Sequence, residues 1–238
     1  VARADPVAAA QSGGKQHRLP FQMESGAKRV KNMTELTMDA IEIEQVPNSG
    51  SGPDASALGI RRIWEGRNRT PVLLREIKPG DLEIERDLVG RLSSQSCYMR
   101  LMSVRKPTED ELIRWTRIDR RREGAVVATV RSDGSERLIG VARYAVNDGE
   151  PGVVDCAIVI DDPWHRQGLG RVMLSSLIDL AGQSGMKRIV GKTWSENRAM
   201  LGLARALGFR LSREAENASV TSLELNLDAC DSVRTSET

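Results

Sequence analysis

Aromatic side chains are scarce in this sequence: 238 residues carry 4 Trp, 2 Tyr and 2 Phe. A core must therefore be assembled from Leu, Val, Ile and Ala, which fill space in bulk rather than through a few large rings. Cysteine is scarce too. Cys97, Cys156 and Cys230 lie far apart with no C-x-x-C pair, which argues against a disulfide framework or a structural zinc site and makes a reducing, cytoplasmic setting the expectation. Only His17 and His165 carry an imidazole, so histidine-based metal chemistry lacks ligands and no metal is expected. No apolar run approaches the roughly 18 residues of a membrane span. The opening VARADPVAAAQSGG lacks the basic-then-apolar pattern of a secretory signal. Neither sign of charge dominates: 35 Lys+Arg against 33 Asp+Glu leave a net charge of +2, so nucleic acid and membrane surfaces are not expected partners.

What is present falls into unequal parts. Residues 1–70 are rich in Gly, Ser, Ala, Gln and charge, with spacer-like SGGKQH and PNSGSGPDAS, and read as a mostly disordered tail. Within it Asp39–Val46 alternates like a short strand without a partner, and a tail that docks on another protein is the alternative reading. From Pro71 the pattern becomes regular. VLLREI (Val72–Ile77) reads as a strand, KPGD as its turn, and Asp81 as the cap of a helix reaching Leu92. After YMRLMS (Tyr98–Ser103), Thr108 and Glu111 have capping-box spacing before a helix. AVVATV and LIGVARYAV form a hairpin about Asp133-Gly134, and Val153–Ile160 is a further strand. Helix and strand then alternate: a helix through Ala181, the strand KRIVGKTW, a helix capped by Ser195 and stopped by Gly208, and the strand Val220–Leu227. The expected fold is α/β: a mixed central sheet flanked by helices over residues 71–228, with 229–238 a flexible end.

The segment richest in chemistry is VVDCAIVIDDPWHRQGLGRVMLSSLIDLA. A strand runs through a short loop, His165-Arg166-Gln167-Gly168-Leu169-Gly170-Arg171, directly into an amphipathic helix. Gly168 and Gly170 remove side chains where a ligand would approach the backbone. Unpaired amides at the helix start, with the positive end of its dipole behind them, suit a pyrophosphate, and Arg166 and Arg171 can add charge. A Walker loop is absent, and a dinucleotide fingerprint is incomplete.

His165 to Gly170 resembles the Q/R-x-x-G-x-G/A acetyl-CoA cradle of the GNAT N-acetyltransferases, and Ser195-Glu196-Asn197 leading to Leu207-Gly208-Phe209 resembles that family's Asn…LGF segment. More narrowly, LLREIKPGD, LSSQSCYMRLM, RWTRIDRRREGAVVA, IGVARY and NRAMLGLARALGF look like bacterial protein lysine acetyltransferases, a likeness covering Pro71 to Phe209. The resemblance implies acetyl-CoA as co-substrate. Its pantetheine arm would pair with the backbone of Ile158, Val159 and Ile160, and its pyrophosphate would meet the amides from Arg166 to Arg171. Asn197 would contact it from the second helix. Asp155 stands where those enzymes place a glutamate and is the implied general base. His165 replaces the usual Gln or Arg, and Ala204 occupies the place where many GNAT enzymes carry a tyrosine acid. A protein lysine is the implied acceptor, with an acyl-CoA synthetase as a candidate target.

The chemistry needs a base because a lysine ammonium, with a pKa of about 10.4, must lose a proton before it attacks a thioester. Plainer readings stand beside these roles: Asp155 as an ion-paired strand carboxylate, Cys156 as core, Asn197 as a cap, and Arg117, Arg120, Arg121 and Arg122 as a solvated basic face or a docking site for an acidic partner. A small-amine acetyltransferase and a non-catalytic acyl-CoA sensor are the alternative functions.

Overall fold

The computed structural model describes residues 60–66, 69–103 and 105–227. The alternating run Asp39–Val46 and the segment 229–238 lie outside the described residues. The framework is an eight-stranded sheet in the order β1-β2-β3-β4-β5-β6-β8-β7. Its strands are β1 (Arg61–Glu65), β2 (Pro71–Glu76), β3 (Glu123–Ser132), β4 (Ser135–Val146), β5 (Val153–Ile160), β6 (Arg188–Trp194), β7 (Arg210–Arg213) and β8 (Val220–Asn226). Helices α1 (Leu82–Arg91), α2 (Ser94–Leu101) and α3 (Glu109–Thr116) fall between β2 and β3; α4 (Leu169–Gln183) links β5 to β6, and α5 (Arg198–Ala206) links β6 to β7. Neighbouring strands run antiparallel except β5 and β6, which are parallel and need α4 as their crossover.

The expected α/β architecture with a mixed sheet is observed. Most of β3 and β4 is buried, as their apolar runs require. They turn through Asp133 and Gly134, both at positive φ, the geometry a two-residue hairpin demands. One sheet face carries Val72, Leu74, Val126, Ala142 and Val154 against Leu169, Met173, Leu174 and Leu177 of α4 and Leu201 of α5. The opposite face carries Ala125, Val127 and Val141 against Ile77, just after β2, and Leu88 of α1. Apolar burial on both faces supplies the main stabilisation of the sheet.

Several elements differ from expectation. Strand β1 lies within the segment read as tail and pairs with β2 from Arg61↔Arg75 to Glu65↔Pro71, so the sheet begins before Pro71. Its pattern, RRIWE, is mostly exposed and gave no apolar period to detect. Asp81 occupies the N-cap of α1, but its carboxylate does not cap it. That carboxylate accepts two bonds from Arg75, at 2.7 and 2.8 Å, and one from the Lys78 amide at 2.8 Å. A buried guanidinium outcompetes the helix for it. Ser195 likewise does not cap α5. Its hydroxyl bonds the Ala218 carbonyl and Thr221, while Asn197 Oδ1 accepts the Met200 amide at 3.1 Å. The capping box at Thr108 and Glu111 is present.

Candidate active site

β5 and β6 diverge. They pair only at Val153↔Arg188, Val154↔Ile189 and Asp155↔Val190, after which β6 follows β8 while β5 stays on β4. The result is a wedge in the sheet with Asp155 at its apex. Asn147 N–H donates to Val153 O at 2.8 Å, and Asp161 N–H donates to Ile139 O at 2.8 Å. With an unbroken register between those points, odd-numbered residues of β5 turn their peptide groups to β4 and even-numbered ones turn theirs toward the wedge. Ile158 therefore offers its N–H and C=O to a ligand in the wedge and Ile160 its N–H, the Ile160 carbonyl being bonded to His165 Nε2. Val159 does not: its peptide pairs with Val141, which corrects the expectation that three consecutive residues would serve.

The loop beyond β5 is shaped by two left-handed residues, Arg166 (φ 57) and Gly168 (φ 96). A non-glycine residue at positive φ is uncommon and marks a loop held by its surroundings. His165 Nε2 lies 2.9 Å from Ile160 O, and Gln167 Nε2 donates to Pro163 O at 2.8 Å, so both side chains brace the loop. The amides of Arg166, Gln167, Gly168, Leu169 and Gly170 find no acceptor among the described residues. The Arg171 amide, expected in the same set, bonds Gly168 O at 3.1 Å. A Cβ on Gly170 would meet Ile160 Cδ1 at 3.3 Å and Leu203 Cδ2 at 3.4 Å, so its bareness also lets α4 pack closely. Leu169 is fully buried and anchors the helix start. Arg166 and Arg171 are exposed and make no ion pair among the described residues. Five free amides, the α4 dipole and two exposed guanidiniums make a donor-rich loop of the kind that suits a diphosphate. Its donors fit the diphosphate of a ligand such as coenzyme A.

Asp155 is half-buried and makes no ion pair among the described residues. Burial pushes its carboxyl up to about 6, against the opposing pull of Arg100 and Lys192. A carboxylate so placed is ionised at neutral pH and more basic than a solvated one.

Comparison with known proteins agrees with this geometry. Residues 93–209 match the model of the acetyltransferase (GNAT) family. The chain is 34% identical over 161 residues to acetyltransferase PA5475 of Pseudomonas aeruginosa, covering 67% of this chain and 84% of that protein. The chain belongs to the GNAT acetyltransferase family. It is also 29% identical over 162 residues to acetyltransferase Pat of Mycolicibacterium smegmatis, covering 67% of this chain but only 47% of that relative. The GNAT domain of Streptomyces lividans PAT superposes with a TM-score of 0.63 at 19% identity, covering 70% of this chain and 96% of that one, a likeness of fold.

For this GNAT enzyme the remaining expected residues are also placed. Asn197 caps α5 and donates through Nδ2 to Thr193 Oγ1 at 3.1 Å, which leaves one amide hydrogen and spare oxygen lone pairs for a ligand. Cys156 is buried in the core on the α4 side, and burial pushes its thiol up, so it is inert. Ala204 is fully buried. Of the basic run, Arg120 pairs with Glu76 and Arg122 with Asp148. Among the described residues no helix is long and apolar enough to cross a membrane, and no cluster of three His, Cys, Asp or Glu could hold a metal.

Sequence reasoning missed two groups of residues. Trp64 of β1 stands beside the cradle, 3.6 Å from where a Cβ on Gly168 would lie, and Arg62 Nη2 donates to Val172 O at 3.1 Å. The second group lies on the sheet face opposite α4. There a shallow, partly open groove, with a cavity volume of about 20 Å³, is lined by Glu85, Arg100, Trp115, Arg143 and Val159 among others. Arg143 pairs with buried Glu85 and donates to Trp115 O at 3.0 Å. The signal for this group was weak, because its members come from α1, α2, α3 and β4, far apart in sequence.

Proposed function

We propose that this GNAT enzyme transfers the acetyl group of acetyl-CoA to the ε-amine of a protein lysine, with Asp155 as general base. The observation that carries the reading is the position of Asp155. It closes the wedge at the last β5–β6 pair, is half-buried, and is held to about 6 by burial. Its side chain shares a sheet face with Ala157 and Val159, and Val159 lines the open groove, so an acceptor entering there reaches the wedge from the side of the base.

The co-substrate supplies an activated acyl carbon with a good leaving group. The chain's residues supply the rest. Free amides of Arg166 to Gly170 hold the diphosphate, and Ile158 and Ile160 align the arm. Asp155, directly or through a water, takes the proton from the ammonium. The neutral amine then forms the new C–N bond while the C–S bond breaks and the thiolate departs. The Ile158 amide is the wedge donor available to the developing oxyanion. Because a thiolate leaves without protonation, Ala204 in the tyrosine's place does not block turnover.

The protein-lysine acceptor is supported by the likeness of LLREIKPGD, LSSQSCYMRLM and RWTRIDRRREGAVVA to bacterial protein lysine acetyltransferases, with an acyl-CoA synthetase as the first target to try. Incubating the chain with acetyl-CoA and such targets, and reading free CoA and lysine modification by mass spectrometry, tests it. Stoichiometric acetyl-lysine lost in Asp155→Asn is the expected result. Turnover confined to small amines would favour the alternative acceptor class.

A further inference from the structure

In the groove opposite α4, two arginines share one indole. The guanidinium carbon of Arg143 lies 5.1 Å from the Trp115 ring centroid, and that of Arg100 lies 5.6 Å from it. Their bonding differs. Arg143 is committed to Glu85 and to the Trp115 carbonyl. Among the described residues Arg100 makes no hydrogen bond and no ion pair, and its guanidinium lies over the Trp115 ring. Glu85 accepts from Arg143 through Oε1, while its buried Oε2 accepts no hydrogen bond, and Asp155 is the second carboxylate near Arg100. Burial and the neighbouring Arg143 push Arg100 down to about 10, a sign that the fold holds this charge where water does not fully solvate it. Arg100 is attracted by Glu85 and Asp155 but hydrogen-bonded to neither, so its guanidinium donors remain free for a further acceptor.

The location gives that anion a meaning. Helix α2 lies across the divergence of β5 and β6. Tyr98 stacks on Trp194 with centroids 5.3 Å apart, and Ser93 and Ser96 are tied to Asp162 beyond the end of β5. This places Arg100 within electrostatic reach of both Asp155 and Glu85. Val159, which lines the groove, is roughly 13 Å along β5 from Asp155, a span that a lysine and a neighbouring side chain together can bridge.

We propose that Arg100 is an anion-binding residue for the acceptor, so that the amine acetylated at Asp155 carries a carboxylate nearby. In a protein acceptor this is an Asp or Glu flanking the lysine; in a small acceptor it is the α-carboxylate of an amino acid. The inference rests on the acetyltransferase reading of the wedge and adds to it the charge of the substrate.

The test is steady-state kinetics of the full chain with acetyl-CoA, using peptides in which one lysine is flanked by Glu or by its neutral isostere Gln. Free amino acids and their amides form a second arm. For wild type, kcat/KM is expected to favour the carboxylate-bearing member of a pair by about tenfold or more. Arg100→Gln is expected to bring the ratio close to one, and Arg100→Lys to keep part of it. Equal rates for Glu and Gln peptides and for acids and amides in wild type overturn the proposal. So does a loss in Arg100→Gln that is equal for both members and comes with a shifted pH–rate profile, which would make Arg100 a counter-ion of Asp155. If only free amino acids turn over, the protein-lysine reading fails and the subsite stands. If nothing turns over, calorimetry of the same pairs in the presence of CoA decides: a preference for the carboxylate that Arg100→Gln abolishes supports the subsite, and no preference overturns it.

Discussion

The two sides of the sheet at Asp155 are built from different materials. The cradle and wedge are made of backbone: free amides from Arg166 to Gly170 and the wedge-facing peptides of Ile158 and Ile160. The groove is made of side chains, with Arg100, Arg143 and Glu85 arranged about Trp115. A backbone site depends first on chain geometry, here braced by His165 and Gln167. A side-chain site is set residue by residue and can change its preference through single substitutions. The contrast assigns common co-substrate chemistry to one side and acceptor choice to the other.

The contrast breaks most readily at Asp155, which serves both sides. Asp155→Asn is expected to lower kcat by about 10²–10⁴ while acetyl-CoA binding is retained. Because burial raises the folded pKa of Asp155 to about 6, its carboxylate is protonated below that pH. For wild type kcat/KM is expected to fall about tenfold per pH unit below pH 6 and to level off above it; stopped assays across this range read the limb, which Asp155→Asn should abolish. If Asp155→Asn keeps the wild-type profile, Asp155 is not the base.

Next in size is the buried pair on the groove side. Arg143→Met leaves Glu85 without its partner and is expected to destabilise the fold by about 3–5 kcal/mol, read by urea denaturation. Restoring neutrality with Glu85→Gln in the same chain should recover part of that loss.

Gly168 probes the backbone side. At φ 96 an alanine is strained by about 1–2 kcal/mol, so Gly168→Ala is expected to weaken acetyl-CoA binding roughly tenfold by calorimetry. The smallest expected effect is at Asn197. Asn197→Ala removes the α5 cap and should lower stability by about 1 kcal/mol in thermal melts. A loss of acetyl-CoA affinity larger than that would return Asn197 to the site as a direct ligand contact.

Legibility in the sequence follows the same division. The cradle was readable because its residues are contiguous and end at a helix start, so Gly168 and the Arg166–Gly170 amides declared themselves. The phase of β5 was not readable, and it decides that Val159 faces Val141 while Ile158 and Ile160 face the wedge. The packing role of Gly170 was not readable either, because it comes from the positions of Ile160 and Leu203. Strand β1 escaped because an edge strand with one half-buried residue, Trp64, carries no alternation. Asp81 and Ser195 have the composition of caps, yet each found a stronger partner far away in sequence or on another strand. Arg100 was invisible for the same reason: its significance comes from lacking the partner that Arg143 has.

The most direct measurement is amide NMR of the 15N-labelled chain titrated with acetyl-CoA. The amides of Arg166, Gln167, Gly168, Leu169 and Gly170 are expected to shift most, with Ile158 and Ile160 following and Val159 and Arg171 moving less. Saturable binding that leaves the Arg166–Gly170 amides in place and perturbs another surface would contradict the backbone cradle.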